Sequence, residues 1–116
     1  MSMQEIVVMI HKGEYGRAIS SLEHDVKDET LTPQQRVECC RWLAECNLRL
    51  EENGEAGNWY VEAVRITLST PADNKAKARA ALPLCAKALE AFEKGGDAAD
   101  VLVAARLKQY LIGLSK

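Results

Sequence analysis

The stretch TPQQRVECCRWLAECNLRLEENGEAGNWYVEAV, residues 32–64, decides the fold class. It opens on Thr32-Pro33-Gln34-Gln35. The Thr32 hydroxyl can accept from a free amide of the first turn, Pro33 fills the first helical position without wasting a donor, and Gln35 can reach back to the Thr32 amide. A helix is predicted over 33–52. Asn53-Gly54-Glu55 then breaks it, because Gly and Asn take the left-handed conformation that ends helices, and a second helix follows over 55–69. Two helices joined by so short a turn pack antiparallel.

Working outward, Thr70-Pro71-Ala72-Asp73 repeats the start signal 38 residues after Thr32-Pro33. Lys12-Gly13-Glu14 and Gly95-Gly96-Asp97 supply two further turns. The breaks predict six helices, over 3–11, 14–27, 33–52, 55–69, 72–94 and 97–113. Pro83 falls inside the fifth, where the missing amide and the ring's clash with the preceding turn should kink the helix or divide it near Leu82. The expected architecture is all-α, one domain over 1–116, in three helix-turn-helix units of approximately 1–30, 31–69 and 70–116.

The second and third units match at an offset of 42: Ala44 with Ala86, Ala56 with Ala98, Tyr60 with Leu102, and Ala63 with Ala105. Small residues recurring at one register mark places where helices approach closely, so Ala56 and Ala98 are both expected in tight helix contacts. One helix pair cannot cover its own apolar face, and stacking of successive pairs is the expected solution.

These residues resemble the tetratricopeptide repeat pattern, in which a Trp, a Leu-Gly pair and a Tyr in one helix precede an Ala, an aromatic and a second Ala in the next. Leu43-Ala44-Glu45-Cys46 corresponds to the Leu-Gly stretch, and Glu55 to Val64 follows the second helix without a gap. In the first unit, Gly13 to Ile19 resembles the family's turn and second-helix start, with Leu22 at the aromatic place. The chain departs from the pattern in having Cys40 at the Trp position, Ala for Gly, and a longer period than the usual one. The resemblance implies stacked antiparallel helix hairpins in a right-handed α–α superhelix.

It also implies a protein-binding wall formed by the first helix of each pair. Carried onto this chain, that wall consists of Val7 and Ile10, then Glu38, Arg41, Trp42, Glu45 and Arg49, then Arg79, Lys87 and Glu90. Arg41, Glu45 and Arg49 recur every fourth residue and share one helix face, as a ligand-reading row or a salt-bridged surface would. The positions that form a carboxylate clamp in one subset of the family hold Met3, Val7, Trp42, Ala80 and Leu84 here, so that activity is not carried over. Apolar character there favours an amphipathic helix or hydrophobic segment as ligand.

Composition agrees with a helical globular chain: apolar residues make up 47% and charged residues 28%, enough of each to bury a core and solvate a surface. The apolar run Ile6-Val7-Val8-Met9-Ile10 is too short for a membrane span or a signal-peptide core, and a cytoplasmic location without membrane contact is expected. Residues 1–60 carry 11 acids against 6 bases, whereas residues 61–116 carry 6 acids against 9 bases. The only basic cluster, Lys75, Lys77 and Arg79, is too small and too poor in aromatic neighbours to suggest nucleic acid.

Catalytic chemistry finds little footing. His11 and His24 are the only near-neutral bases, neither stands beside a nucleophile motif, and no phosphate-binding or dinucleotide-binding glycine string is present. Cys39 and Cys46 share a helix face while Cys40 points elsewhere, and without Cys-x2-Cys pairs no structural zinc is expected. The four cysteines read as packing residues, and neither cofactor nor metal is expected.

The function expected is therefore an adaptor or scaffold binding a peptide or amphipathic helix of another protein. Two alternatives share the same fold: a secretion-type chaperone for an aggregation-prone small partner, resembling the repeat-fold chaperones of bacterial secretion systems, and a homodimerisation module. The last helix motivates the latter. Val101, Leu102, Ala105, Leu107, Leu111, Ile112 and Leu114 offer more apolar surface than one preceding pair can cover.

Overall fold

A computed structural model describes residues 2–116 of the chain. Six helices follow in order: α1 (Met3–His11), α2 (Tyr15–Val26), α3 (Pro33–Arg49), α4 (Asn53–Leu68), α5 (Asn74–Gly95) and α6 (Ala98–Leu114). No strand occurs among the described residues. No helix among them is long and apolar enough to cross a membrane.

Most boundaries follow from cap chemistry. Thr32 accepts from the Gln35 amide at 3.1 Å while the Gln35 side chain accepts from the Thr32 amide at 2.9 Å, which is the expected reciprocal box. Ser2 and Glu5 build the same box on α1. Gly13 and Gly96 take positive φ of 80° and 77° at the turns that need it.

Two starts differ from expectation. Thr70-Pro71 does not open α5; Asp73 does, its carboxylate accepting from the Ala76 amide at 3.0 Å. Thr70 instead donates its hydroxyl to the Thr67 carbonyl at 2.7 Å and finishes α4, and an ionised acceptor three residues on makes the stronger cap. At the α3–α4 turn the left-handed residue is Glu51, with φ of 59°, and Gly54 lies within the first turn of α4. The strain at Glu51 is held by its surroundings: the Glu52 amide donates to the Asn47 carbonyl at 2.8 Å, and buried Asn47 anchors its own side chain on the Leu43 carbonyl at 2.8 Å.

Nor does Pro83 divide α5, which runs unbroken from Asn74 to Gly95. Pro83 is exposed, beside the stripe of Ala78, Ala81, Leu84, Cys85, Ala88, Ala91 and Phe92 that the helix buries. Burial of that long stripe outweighs the cost of one lost amide donor.

Consecutive helices pack on each other, α1 on α2 and so on through α5 on α6, in a body of 41 × 34 × 18 Å. The core is rich in small side chains, with Ala18, Ala44, Ala56, Ala63, Ala81, Ala88 and Ala104 sealed among Ile6, Leu22, Leu43, Ile66 and Leu111. Small residues let helix axes approach, and the large ones fill what remains.

Burial does not follow the offset of 42. Ala86, Ala98 and Leu102 are exposed, although their partners at an offset of 42 are buried. An offset of 41 instead pairs buried Cys40, Leu43, Ala44 and Asn47 with buried Ala81, Leu84, Cys85 and Ala88, and Ala63 with Ala104. Ala98 begins α6 just after its Asp97 cap and is exposed, so of the two only Ala56 is buried.

Candidate functional site

The inner stripe of α3 buries Cys39, Cys40, Leu43, Ala44, Cys46 and Asn47. That leaves Glu38, Arg41, Trp42, Glu45 and Arg49 along the opposite stripe. These five, with Ile10, His11, Tyr15, Tyr60 and Lys87, line a groove of about 480 Å³ bounded by α1, α2, α3, α4 and α5.

The charges in this groove are largely neutralised in place. Glu38 accepts from the Trp42 indole N–H at 3.0 Å and lies 3.5 Å from the Arg41 guanidinium. Arg49 donates to Glu45 at 3.1 Å, and hydrogen bonding to Tyr15 and then to Glu45 holds its guanidinium above the ordinary arginine range. Such exposed helical pairs are screened by solvent, so they set the groove's charge and its side-chain geometry more than they hold the helix. Tyr60 forms part of the floor. Burial pushes its phenol above the usual tyrosine range, and the Lys87 ammonium lies 6.0 Å from its ring centre.

A second groove of about 490 Å³ continues from the first between α3 and α5. Pro33, Gln34 and Val37 of α3 face Ala76, Lys77, Ala80, Pro83 and Leu84 of α5, with Thr67, Thr70 and Ala72 closing one end. Glu38, Arg41 and Lys87 line both grooves and mark where they join.

Of the ten residues expected on the wall, Ile10, Glu38, Arg41, Trp42, Glu45, Arg49 and Lys87 come together in the first groove. Glu90 stands just beyond, in a shallow depression shared with Glu45, Tyr60 and Lys87, and pairs with Lys94 at 3.6 Å. Val7 is half-buried and Arg79 is exposed, and neither lines a groove. The helical turn explains Arg79: it lies about 200° around α5 from Lys77, off the groove-facing stripe.

Sequence reading missed Tyr15, Tyr60, Val37 and Lys77 as lining residues. For Lys77 a signal existed, since Lys77, Ala80, Leu84 and Lys87 follow the three-and-four spacing of one helix face. Nothing local marked Tyr15 and Tyr60, which enter from α2 and α4.

The four cysteines take no part in the site. All are buried and unpaired with one another, and burial raises every thiol, Cys40 to about 12 and Cys46 to about 11. Cys85 donates to the Ala104 carbonyl at 3.6 Å, tying α5 to α6. Among the described residues, no three His, Cys, Asp or Glu side chains converge as a metal site requires. Compared with protein-family models, with curated proteins and with solved structures, the chain matches none.

Proposed function

We propose that this chain is a protein-binding module whose continuous groove along α3 and α5 holds a polypeptide segment of a partner. The observation that carries the reading is the junction at Glu38, Arg41 and Lys87, where a polar, aromatic-lined groove runs into a more apolar one. Together they offer a linear track suited to a chain segment more than to a compact small molecule. The tetratricopeptide-like stacking of three helix pairs belongs to the same proposal. Serial packing of helices and the repeated burial pattern at an offset of 41 support it. Adaptor function, rather than catalysis, is the corresponding role.

Selection from a displayed random peptide library tests the reading. Peptides recovered on the native protein should lose binding to Ala80→Trp, which fills the α3–α5 groove from an exposed position, and to Trp42→Ala. They should keep binding to Trp59→Ala, whose side chain lies in a separate depression with Val26 and Asn58. Enriched peptides indifferent to both groove variants, or no enrichment at all, would count against the groove.

The homodimer reading rests on a different face. Leu111, expected among the excess apolar residues of the last helix, is fully buried, and the outward residues are Leu102, Val103 and Tyr110, at 51%, 62% and 60% exposure. Sedimentation of native protein and of Leu102→Glu with Tyr110→Glu tests it. A native dimer that the double variant dissolves is the supporting outcome, and a concentration-independent monomer removes the idea.

A further inference from the structure

The α3–α5 groove carries an electrostatic asymmetry that its apolar floor does not require. One carboxylate, Glu38, faces three cations, Arg41, Lys77 and Lys87. Glu38 is already engaged by Arg41 and by the Trp42 indole. Neither Lys77 nor Lys87 has an ion-pair partner among the described residues, and Lys77 is half-buried. The nearest acids along α5 are occupied: Asp73 caps the helix on the Ala76 amide, and Glu90 pairs with Lys94. Lys87 lies 6.0 Å from the centre of the Tyr60 ring, and Glu45 and Glu90 in the depression beside it are engaged by Arg49 and Lys94.

The two lysines stand at opposite ends of the apolar stripe Ala80, Pro83 and Leu84. Ten residues of α5 separate them, about 15 Å along the axis. From this geometry we infer that the α3–α5 groove takes an amphipathic helix of a partner protein bearing one carboxylate at each end of an apolar stripe. The inference deepens the polypeptide-binding reading and rests on it.

Helical rather than extended form follows from the polar inventory of the floor. Val37, Ala76, Ala80, Pro83 and Leu84 offer no side-chain donors or acceptors, and the one carboxamide in the lining, Gln34, is exposed in the first turn of α3. Thr67 and Thr70 spend their hydroxyl protons on the Ala63 and Thr67 carbonyls at 2.8 and 2.7 Å. An extended segment laid there would leave backbone amides and carbonyls unpaired against apolar surface, whereas a helix satisfies its own. Three helical turns place residues i and i+11 on one face about 16 Å apart, matching the lysines, with i+4 and i+7 between them over the apolar floor.

The test uses synthetic helical peptides on the full chain. The acidic probe carries glutamates at i and i+11 with leucines at i+4 and i+7; a basic probe replaces the glutamates by lysines, and a third carries a central proline. Fluorescence anisotropy should show the acidic probe binding most tightly and weakening with added salt. Lys77→Glu and Lys87→Glu should each weaken it about five-fold, and the double variant should prefer the basic probe. Equal binding of acidic and basic probes, blocked by Ala80→Trp, would overturn the charge assignment while leaving the polypeptide-binding reading intact. Acidic-probe binding unchanged by the lysine variants would overturn it as well, as would equal binding of the proline-broken probe. Absence of binding by every probe would overturn this inference, and the library selection then decides the broader reading separately.

Discussion

Gly57 of α4 and Phe92 of α5 are in such close contact that a Cβ placed on Gly57 would lie 2.4 Å from Cε1 of the Phe92 ring. The ring, only 4% exposed, rests on the bare backbone of the facing helix. This contact sets how near α4 and α5 can come, and α5 in turn supplies one wall of the groove.

Gly57→Ala should therefore destabilise the fold, although Ala is by itself the better helix former by about 1 kcal/mol. Overpacking costs typically reach about 1–3 kcal/mol, and the ring has no exposed side to retreat to. Urea unfolding of Gly57→Ala, of Phe92→Leu and of the double variant measures the coupling. The double variant is expected to lose less than the sum of the two single ones.

Burial separates two alanines that look alike in sequence. Ala56, fully buried, should lose about 1–3 kcal/mol on replacement by Leu, whereas the same change at exposed Ala98 should stay within about 0.5 kcal/mol. Equal effects in thermal unfolding would mean that Ala98 is as tightly enclosed as Ala56.

Pro83→Ala should raise stability, because it restores an amide donor in the middle of an unbroken helix and removes the ring's clash with the preceding turn. A gain of about 1–3 kcal/mol is expected, read from the denaturation midpoint. A loss would mean that the ring's place in the groove wall contributes more than the helix gains.

The buried thiols should make stability fall in alkali. In the folded chain burial holds Cys40 protonated up to about 12, whereas a thiol in the unfolded chain ionises near 9.0. Between those values the unfolded state binds fewer protons, so stability declines as pH rises. One such group contributes a slope of up to about 1.4 kcal/mol per pH unit, and below 9 it contributes none. Cys40→Ala should flatten the slope in urea titrations from pH 9 to 11, and thiol labelling of the native protein at pH 8 should be slow.

The helices were legible from the chain because their signals are local. Thr32 with Gln35, Gly13 and Gly96 each act within one turn of the backbone, and all three served as expected. Where two local signals competed, the reading failed: Thr70-Pro71 and Asp73 both offer starts a few residues apart, and the carboxylate won. The α3 half of the groove was legible for the same reason. Glu38, Arg41, Trp42, Glu45 and Arg49 form one stripe on one helix, and periodicity alone brings them together.

What the sequence determined by itself is thus the set of six helices, the caps that bound most of them, and the stripe that α3 presents. Only tertiary packing decided the burial of Ala104 in place of Ala105, the Gly57–Phe92 contact, the survival of α5 through Pro83, and the meeting of Tyr15, Tyr60 and Lys87 over one groove. The physical reason is range. Caps and periodicity act within a turn or two of one helix, whereas register and groove lining depend on how side-chain volumes from different helices fill a shared space, and a single stripe does not specify its partner.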